Sequence, residues 1–268
     1  MKDLKHYRIN AGSSVSLKDF ATADDGGMDE SDARAQFEQL KKRMEDLQEV
    51  LYAQCQHALL VVLQAMDTGG KDSTIRSVFT GFNPAGCRVA NFKAPNESER
   101  LHDFLWRVHQ RAPRLGQIVV FNRSHYEDVL IARVRELVPK ARWKRRYKHI
   151  NDFEEMLSDE GVHIVKFFLH ISKDYQKRRL QKRLDNPSKH WKFDPGDLEE
   201  RKRWDDYQSA YEKALARCST ERAPWYVIPA EIRWYRDLLI ARALVETLES
   251  MDLRFPQSTI DPQSFVID

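Results

Sequence analysis

The chain is expected to form an α/β fold, an open parallel sheet flanked by helices, and three observations predict it. Short, continuously apolar runs recur at 58–64, 87–92, 117–122, 162–170 and 225–229; runs of this kind suit strands buried on both faces, as parallel sheets require. Stretches of helical length lie between them, so each strand returns to the sheet through a right-handed crossover. A glycine-rich turn carrying a lysine, AMDTGGKDST at 65–74, follows the first run directly and leads into a helical segment.

The elements follow in order. Residues 11–30 are rich in Gly, Ser, Asp and Thr, so 1–30 reads as an irregular lead-in. From Ser31, a candidate N-cap, Phe37, Leu40, Met44, Leu47 and Leu51 recur at three and four residues and predict one long amphipathic helix. ALLVVLQ is the first strand. HDFLWRVHQR and HYEDVLIARVREL are two of the connecting helices, WYVIP is the last strand, and IRWYRDLLIARALVETL is the terminal helix. Between the fourth and last strands, about 172–217, lies a charged stretch broken at Asn186-Pro187 and at Asp194-Pro195-Gly196. It reads as two polar helices with a loop between them; a pair so polar cannot be core and suits a lid over something negatively charged. The expected organisation is one domain over 31–268 with that lid.

Charged residues make up 32% of the chain, above the roughly 25% of an average domain, and hydrophobic residues 41%, which is globular and not disordered. No run approaches a membrane span, and the N-terminus lacks the apolar stretch of a secretory signal, so a cytoplasmic protein is expected. Cys55, Cys87 and Cys218 have no CxxC spacing and read as reduced thiols. The net charge of +3 conceals local fields: 140–149 and 173–183 are strongly basic, whereas 152–160 is acidic.

The chemistry sits in the lysine turn. Gly69 and Gly70 let the backbone aim successive N–H groups inward, and the helix start adds partial positive charge, which together make a nest for phosphate oxygens. Lys71 would reach the phosphoryl group being transferred. The match to the Walker A P-loop is incomplete: Ala65 replaces its first glycine, and Asp72 replaces the hydroxyl residue that usually meets magnesium. Asp67 can take that part as an oxygen ligand for Mg²⁺, or for Mn²⁺ in its place; the plainer reading makes Asp67 and Asp72 turn residues only. Another apolar strand, the run at 117–122, leads into FNRSHYEDV, where Asn122 stands at the usual place of a metal-binding Asp and Arg123 can clamp phosphate through two parallel N–H bonds. His102, His109 and His125 lack metal spacing, Met66 fills space beneath the turn, and Trp106 reads as core.

The blocks AMDTGGKDSTIRSVFTGFNPAGCRV, FKAPNESERLHDFLWRVH, FNRSHYEDVLIARV, HWKFDPGDLEERKRWDDY and APWYVIPA resemble, in order and spacing, the family 2 polyphosphate kinases over roughly residues 31–250. That resemblance implies a thymidylate-kinase-like P-loop fold and Mg²⁺-dependent phosphate transfer between inorganic polyphosphate and nucleotides. It assigns Asp67 and Lys71 to metal and phosphate, and Arg123 and Arg133 to the transferred phosphate or the nucleotide. Arg178, Arg179, Lys182 and Arg183 would lie along the polyphosphate, a polyanion that needs a row of cations. Asn122, Glu127 and Asp128 replace residues of a DRSWYNRAG block, a version similar to the third subgroup, which acts on both AMP and ADP; Glu127 and Asp128 would sit near the acceptor nucleotide. Lys192 and Asp194 are a nucleotide contact or a structural hinge. A homo-oligomer, dimer or tetramer, is also implied. Two other readings remain beside this one: an ATP-dependent nucleotide kinase of P-loop fold, and a polyanion-binding protein, although no nucleic-acid motif is present and no nucleic-acid partner is expected.

Overall fold

Helix α1 (Glu30–Gln54) opens the regular structure in a computed structural model that describes residues 2–258 and 260. It starts one residue before the expected Ser31 cap, with extended Asp29 at the N-cap. Glu30 and Asp32 in the first turn suit the positive end of the helix dipole. Met44, Leu47 and Leu51 are buried as their spacing predicts, and Cys55 ends the helix in a left-handed conformation.

Strand β1 (Ala58–Ala65) is buried along its whole length. It is followed by α2 (Lys71–Val78), β2 (Cys87–Asn91), the short helices α3 (Glu97–Arg100) and α4 (Trp106–His109), and β3 (Ile118–Asn122). After β3 come α5 (Ile131–Val134), α6 (Lys140–Asp159) and β4 (Val162–His170). The lid region holds α7 (Lys173–Leu184), α8 (Gly196–Lys202) and α9 (Trp204–Cys218), and β5 (Trp225–Pro229) and α10 (Arg233–Glu249) complete the chain. The five strands form one parallel sheet in the order β2-β3-β1-β4-β5. Because all run the same way, the segments leaving β1, β3 and β4 emerge at one edge, where open α/β sheets bind ligands.

Several connections differ from the sequence reading. HDFLWRVHQR is helical only over Trp106–His109; Trp106 is half-buried and stacks on His102 at 4.0 Å instead of entering the core. HYEDVLIARVREL breaks into a 3-10 turn (His125–Asp128) and α5, because His125 and Tyr126 are drawn under the sheet to Glu154, which tightens the turn. Helix α6 hides behind its charge: Tyr147, Ile150, Phe153 and Leu157 make its buried stripe. Three helices, not two, occupy the lid region, and α9 buries Trp204, Tyr207, Ala210, Tyr211, Ala214, Leu215 and Cys218. Its apolar positions repeat at three and four residues but are outnumbered by charge in the string.

Among the described residues before α1 the only helical elements are short 3-10 turns, yet Leu4, Tyr7, Ile9 and Leu17 are buried. Ile9 N–H donates to the Trp225 carbonyl and Val227 N–H to the Tyr7 carbonyl, both at 2.8 Å. The lead-in thus covers the outer edge of β5, which would otherwise expose unpaired backbone groups. Among the described residues the three cysteines are free thiols, and no helix is long and apolar enough to cross a membrane.

Candidate active site

Between the end of β1 and the start of α2 the chain reverses within five residues. Thr68 (φ 66°) and Gly70 (φ 99°) take left-handed angles. A Cβ on Gly69 would lie 2.6 Å from the Ala65 Cβ, and one on Gly70 would lie 2.5 Å from Arg236 Nη1. Both positions therefore exclude a side chain. Arg236 comes from the first turn of α10; it is 2% exposed, is paired with Asp237 at 2.7 Å and donates to Ser73 Oγ at 3.2 Å. The terminal helix braces the turn from below.

Lys71 is the first residue of α2, and its Nζ donates to the Ala65 carbonyl at 3.1 Å. An ammonium carries three N–H donors, and among the described residues this is its one hydrogen bond. Burial, then the Arg123 charge, lowers the Lys71 pKa, while Asp67, Glu127 and Asp72 work the other way. A phosphate oxygen would supply both the missing acceptors and the missing negative charge.

Strand β3 brings its end alongside. Asn122 is in register with Leu63, and Arg123 N–H donates to the Leu63 carbonyl at 3.1 Å, after which the chain turns through a left-handed Arg123 (φ 60°). That turn sends the guanidinium to Asp67, with Nη2 to Oδ1 at 2.9 Å. Burial opposes the Arg123 charge, but Glu127 and Asp67 outweigh it and its pKa rises. Glu127 is half-buried; burial raises its carboxyl pKa against the pull of Arg123 and Lys71. Asn122 Nδ2 donates to Asp72 Oδ1 at 2.8 Å and to Asn91 Oδ1 at 2.9 Å, tying β2, β3 and α2 together.

From the lid, Gln176 Nε2 donates to the Asp67 carbonyl at 3.0 Å. Arg183 Nη1 pairs with Asp197 Oδ2 at 3.0 Å and donates to the Lys192 carbonyl at 2.9 Å. Burial first, and the charge of Asp67 next, push the Asp197 carboxyl up to about 6. Burial, then Arg233, lowers the Arg179 pKa, with Arg183 and Arg236 adding to the effect. Cations of α7 and of the start of α10 therefore already repel one another.

The structure brings Asp67, Gly69, Gly70, Lys71, Asn122, Arg123 and Glu127 to one sheet edge, with Arg179 and Arg183 on α7 beside them. Other expected residues are engaged elsewhere. Asp128 points to Arg146, which donates to its Oδ1 at 2.9 Å. Arg133 donates from Nη2 to Ser209 Oγ at 3.0 Å and lies over the Trp143 ring. Arg178 reaches Glu231 at 3.5 Å, and Lys182 is exposed. Lys192 lies over the Trp191 ring at 4.7 Å, and Asp194 Oδ1 accepts from Gly196 N–H at 2.8 Å. The sequence reading did not single out Gln176, Asp197 or Arg236. Asp197 stands in the first turn of α8, directly after Pro195-Gly196, a signal that could have found it; for Arg236 no local signal exists.

An under-coordinated lysine at the head of a helix, framed by two obligatory glycines on the carboxyl edge of a parallel sheet, is the equipment of a phosphotransferase of the P-loop class. The model of the family "Polyphosphate kinase 2 (PPK2)" matches residues 27–256, and the chain belongs to that family. It is 56% identical to the AMP/ADP-polyphosphate phosphotransferase of Meiothermus ruber, over 99% of this chain and 100% of that one. It is 44% identical to the ADP-polyphosphate phosphotransferase of Rhodopseudomonas palustris, over 95% and 93% of the two chains. The crystal structure of polyphosphate kinase 2 from Arthrobacter aurescens superposes with a TM-score of 0.94 at 42% identity, covering 98% of this chain and 95% of that one.

Proposed function

We propose that the chain transfers the terminal phosphoryl group of inorganic polyphosphate to AMP and to ADP. The names of the Meiothermus ruber and Rhodopseudomonas palustris relatives support this donor and these acceptors. One observation carries the reading at the level of atoms: among the described residues Lys71 spends a single N–H on protein at the mouth of the sheet, within electrostatic reach of the Asp67–Arg123 pair, and keeps its other donors for an anion.

In this reading the Gly69–Gly70 backbone and Lys71 hold the terminal phosphates of the donor, and Arg123 bridges to the phosphoryl group in flight. An acceptor phosphate oxygen attacks the terminal phosphorus in line while the P–O bond to the donor chain breaks. Positioning and charge stabilisation supply the catalysis. Arg179 and Arg183, with Arg178 and Lys182 further out, track the donor chain across the lid, and α7–α8 are the part that closes. Glu127, within electrostatic reach of Arg123 and Lys71, faces the acceptor, and Lys192 and Asp194 act as hinge residues.

Kinase-type phosphotransfer generally uses a divalent metal, and the residues of the turn fit one. Asp67 offers a carboxylate, and Thr68 Oγ1 is buried without a hydrogen-bond partner among the described residues. Among those residues no three His, Cys, Asp or Glu converge as a metal cage. The Asp67 carboxylate suits Mg²⁺, or Mn²⁺ in its place, since Mg²⁺ binds through one or two carboxylates and keeps its other positions for water and phosphate. Bound there, the ion would neutralise charge on the phosphoryl oxygens. Resemblance to the family supports a cytoplasmic homo-oligomer, dimer or tetramer, and light scattering on the purified chain checks its size.

The test pairs polyphosphate and ATP as donors with AMP and with ADP, products being separated by phosphate number. Polyphosphate should support both acceptors; a preference for ATP as donor to AMP would replace this reading with that of an ordinary nucleotide kinase.

A further inference from the structure

We propose that the cleft between α6 and α9 is a second, non-catalytic oxyanion site that holds a distal stretch of a long polyphosphate donor. The proposal rests on polyphosphate being the donor. Four cations from three helices, Arg133, Lys144, Lys213 and Arg217, surround a cavity of about 240 Å³. Among the described residues no carboxylate lines it. Two other cations of α6 do find carboxylate partners: Arg146 pairs with Asp128 at 2.9 Å and Lys148 with Asp152 at 2.7 Å. Like charges gathered without a counter-charge repel one another and focus a positive field on the space between them, which favours an anionic occupant.

Two further observations narrow the ligand. The Tyr147 side chain forms part of the wall; it is 3% exposed, and its hydroxyl has no hydrogen-bond partner among the described residues, so a donor stands ready for an oxygen. The aromatic faces are already covered, Trp143 by the Arg133 guanidinium at 5.2 Å and Tyr147 by that of Arg217 at 5.8 Å. A nucleobase would find no free ring to stack on, whereas phosphate oxygens would meet guanidinium and ammonium donors. Arg133 is held in place by Ser209, through Nη1 to its carbonyl at 3.2 Å and Nη2 to its hydroxyl at 3.0 Å.

The site is distinct from the lysine turn. Helix α9 turns Tyr207 and Tyr211 inward, where both lie within electrostatic reach of Glu127 and Asp67. Ser209, Lys213 and Arg217, spaced by four residues, form a different stripe of the same helix and line the cleft. A donor reaching both places must pass around α9, so a short donor gains nothing from the cleft and a long one gains a second foothold.

The experiment compares tripolyphosphate and long-chain polyphosphate as donors to ADP for the wild-type chain and for the double variant Lys213→Glu/Arg217→Glu. A second variant, Lys213→Gln/Arg217→Gln, serves if charge reversal impairs folding. We expect the KM for long-chain polyphosphate to rise roughly tenfold and its salt dependence to shrink, as loss of phosphate contacts requires, while kcat and all tripolyphosphate constants stay at wild-type values. An unchanged KM for the long chain overturns the proposal, as does an equal loss with both donors, which would make the cleft a structural support. Loss of nucleic-acid binding without any change in long-chain KM overturns it in favour of a nucleic-acid surface. A wild-type chain that transfers from neither donor refutes the donor assignment itself, a result distinguishable from the others.

Discussion

Two clusters of charge lie close together in this molecule and treat their hydrogen bonds in opposite ways. Beneath the sheet, Lys166 is fully buried, and its ammonium meets the Tyr126 hydroxyl at 2.8 Å, the Cys218 carbonyl at 2.6 Å and the Glu154 carboxylate. Three donors thus have three acceptors. Glu154 also takes His125 Nε2 at 3.1 Å and the Tyr126 hydroxyl at 2.9 Å, so the imidazole carries its proton on Nε2. Burial opposes the Glu154 charge, but Lys166 and His125 outweigh it and hold its carboxyl below the ordinary range. At the carboxyl edge of the same sheet Lys71 has one acceptor, and burial leaves its pKa lowered. An ammonium whose three donors are matched fixes a shape, whereas one left open suits a binding site, because the unmatched donors gain most from an incoming anion.

His125 and Tyr126 join the two clusters, since they lie between Arg123 and Glu127 in the chain. The sealed cluster anchors the turn that presents the open one. Four substitutions probe this contrast. The largest effect is expected of Lys71→Ala, a loss of about 10³-fold or more in kcat with little change in stability, since electrostatic stabilisation of phosphoryl transfer is the main catalytic term; single-turnover transfer to ADP measures it. Next, Lys166→Met should destabilise the fold by about 3–5 kcal/mol, because it leaves the Glu154 charge buried and unpaired. Urea denaturation reads this, and a wild-type midpoint would show that the lower cluster holds nothing.

Arg123→Lys keeps the charge but loses the planar fork, so kcat/KM should fall roughly 10- to 100-fold with a near-normal urea midpoint. Equal activity would mean that the guanidinium geometry is not used. The smallest effect is expected of Asp197→Asn. The Asp197 pKa is raised from 3.8 to about 6, so between those values the folded chain binds a proton more tightly than the unfolded one. The resulting stability is fully present below pH 4 and is lost as the pH rises through 6. Thermal denaturation at the two ends of that window should show the wild-type chain losing up to about 1 kcal/mol that the Asn variant does not, solvent screening having been allowed for.

Much of the site was legible before any fold was known, and for definable reasons. The lysine turn announces itself because its glycines answer a local backbone demand and its neighbours in sequence are its neighbours in space. Asn122 and Arg123 were legible as the residues that end an apolar run. Other placements were not. The resemblance groups Arg133 with the reaction centre, but in the structure α5 directs it toward α9 and Trp143. Helix α6 escaped notice because its charged face outnumbers its buried stripe.

Sequence alone therefore decided the parallel sheet, the order of strands and crossovers along the chain, and the glycine-rich lysine turn, all of which follow from periodicity and from conformations that few residues can adopt. Tertiary structure decided which charges close on one another and which stay open. Arg236 bracing Gly70, Asp197 raised by burial and by the charge of Asp67, and Lys166 satisfied by groups from three separate segments depend on distances between parts of the chain remote in sequence. No local pattern records such distances, because electrostatic and packing energies act through space and not along the backbone.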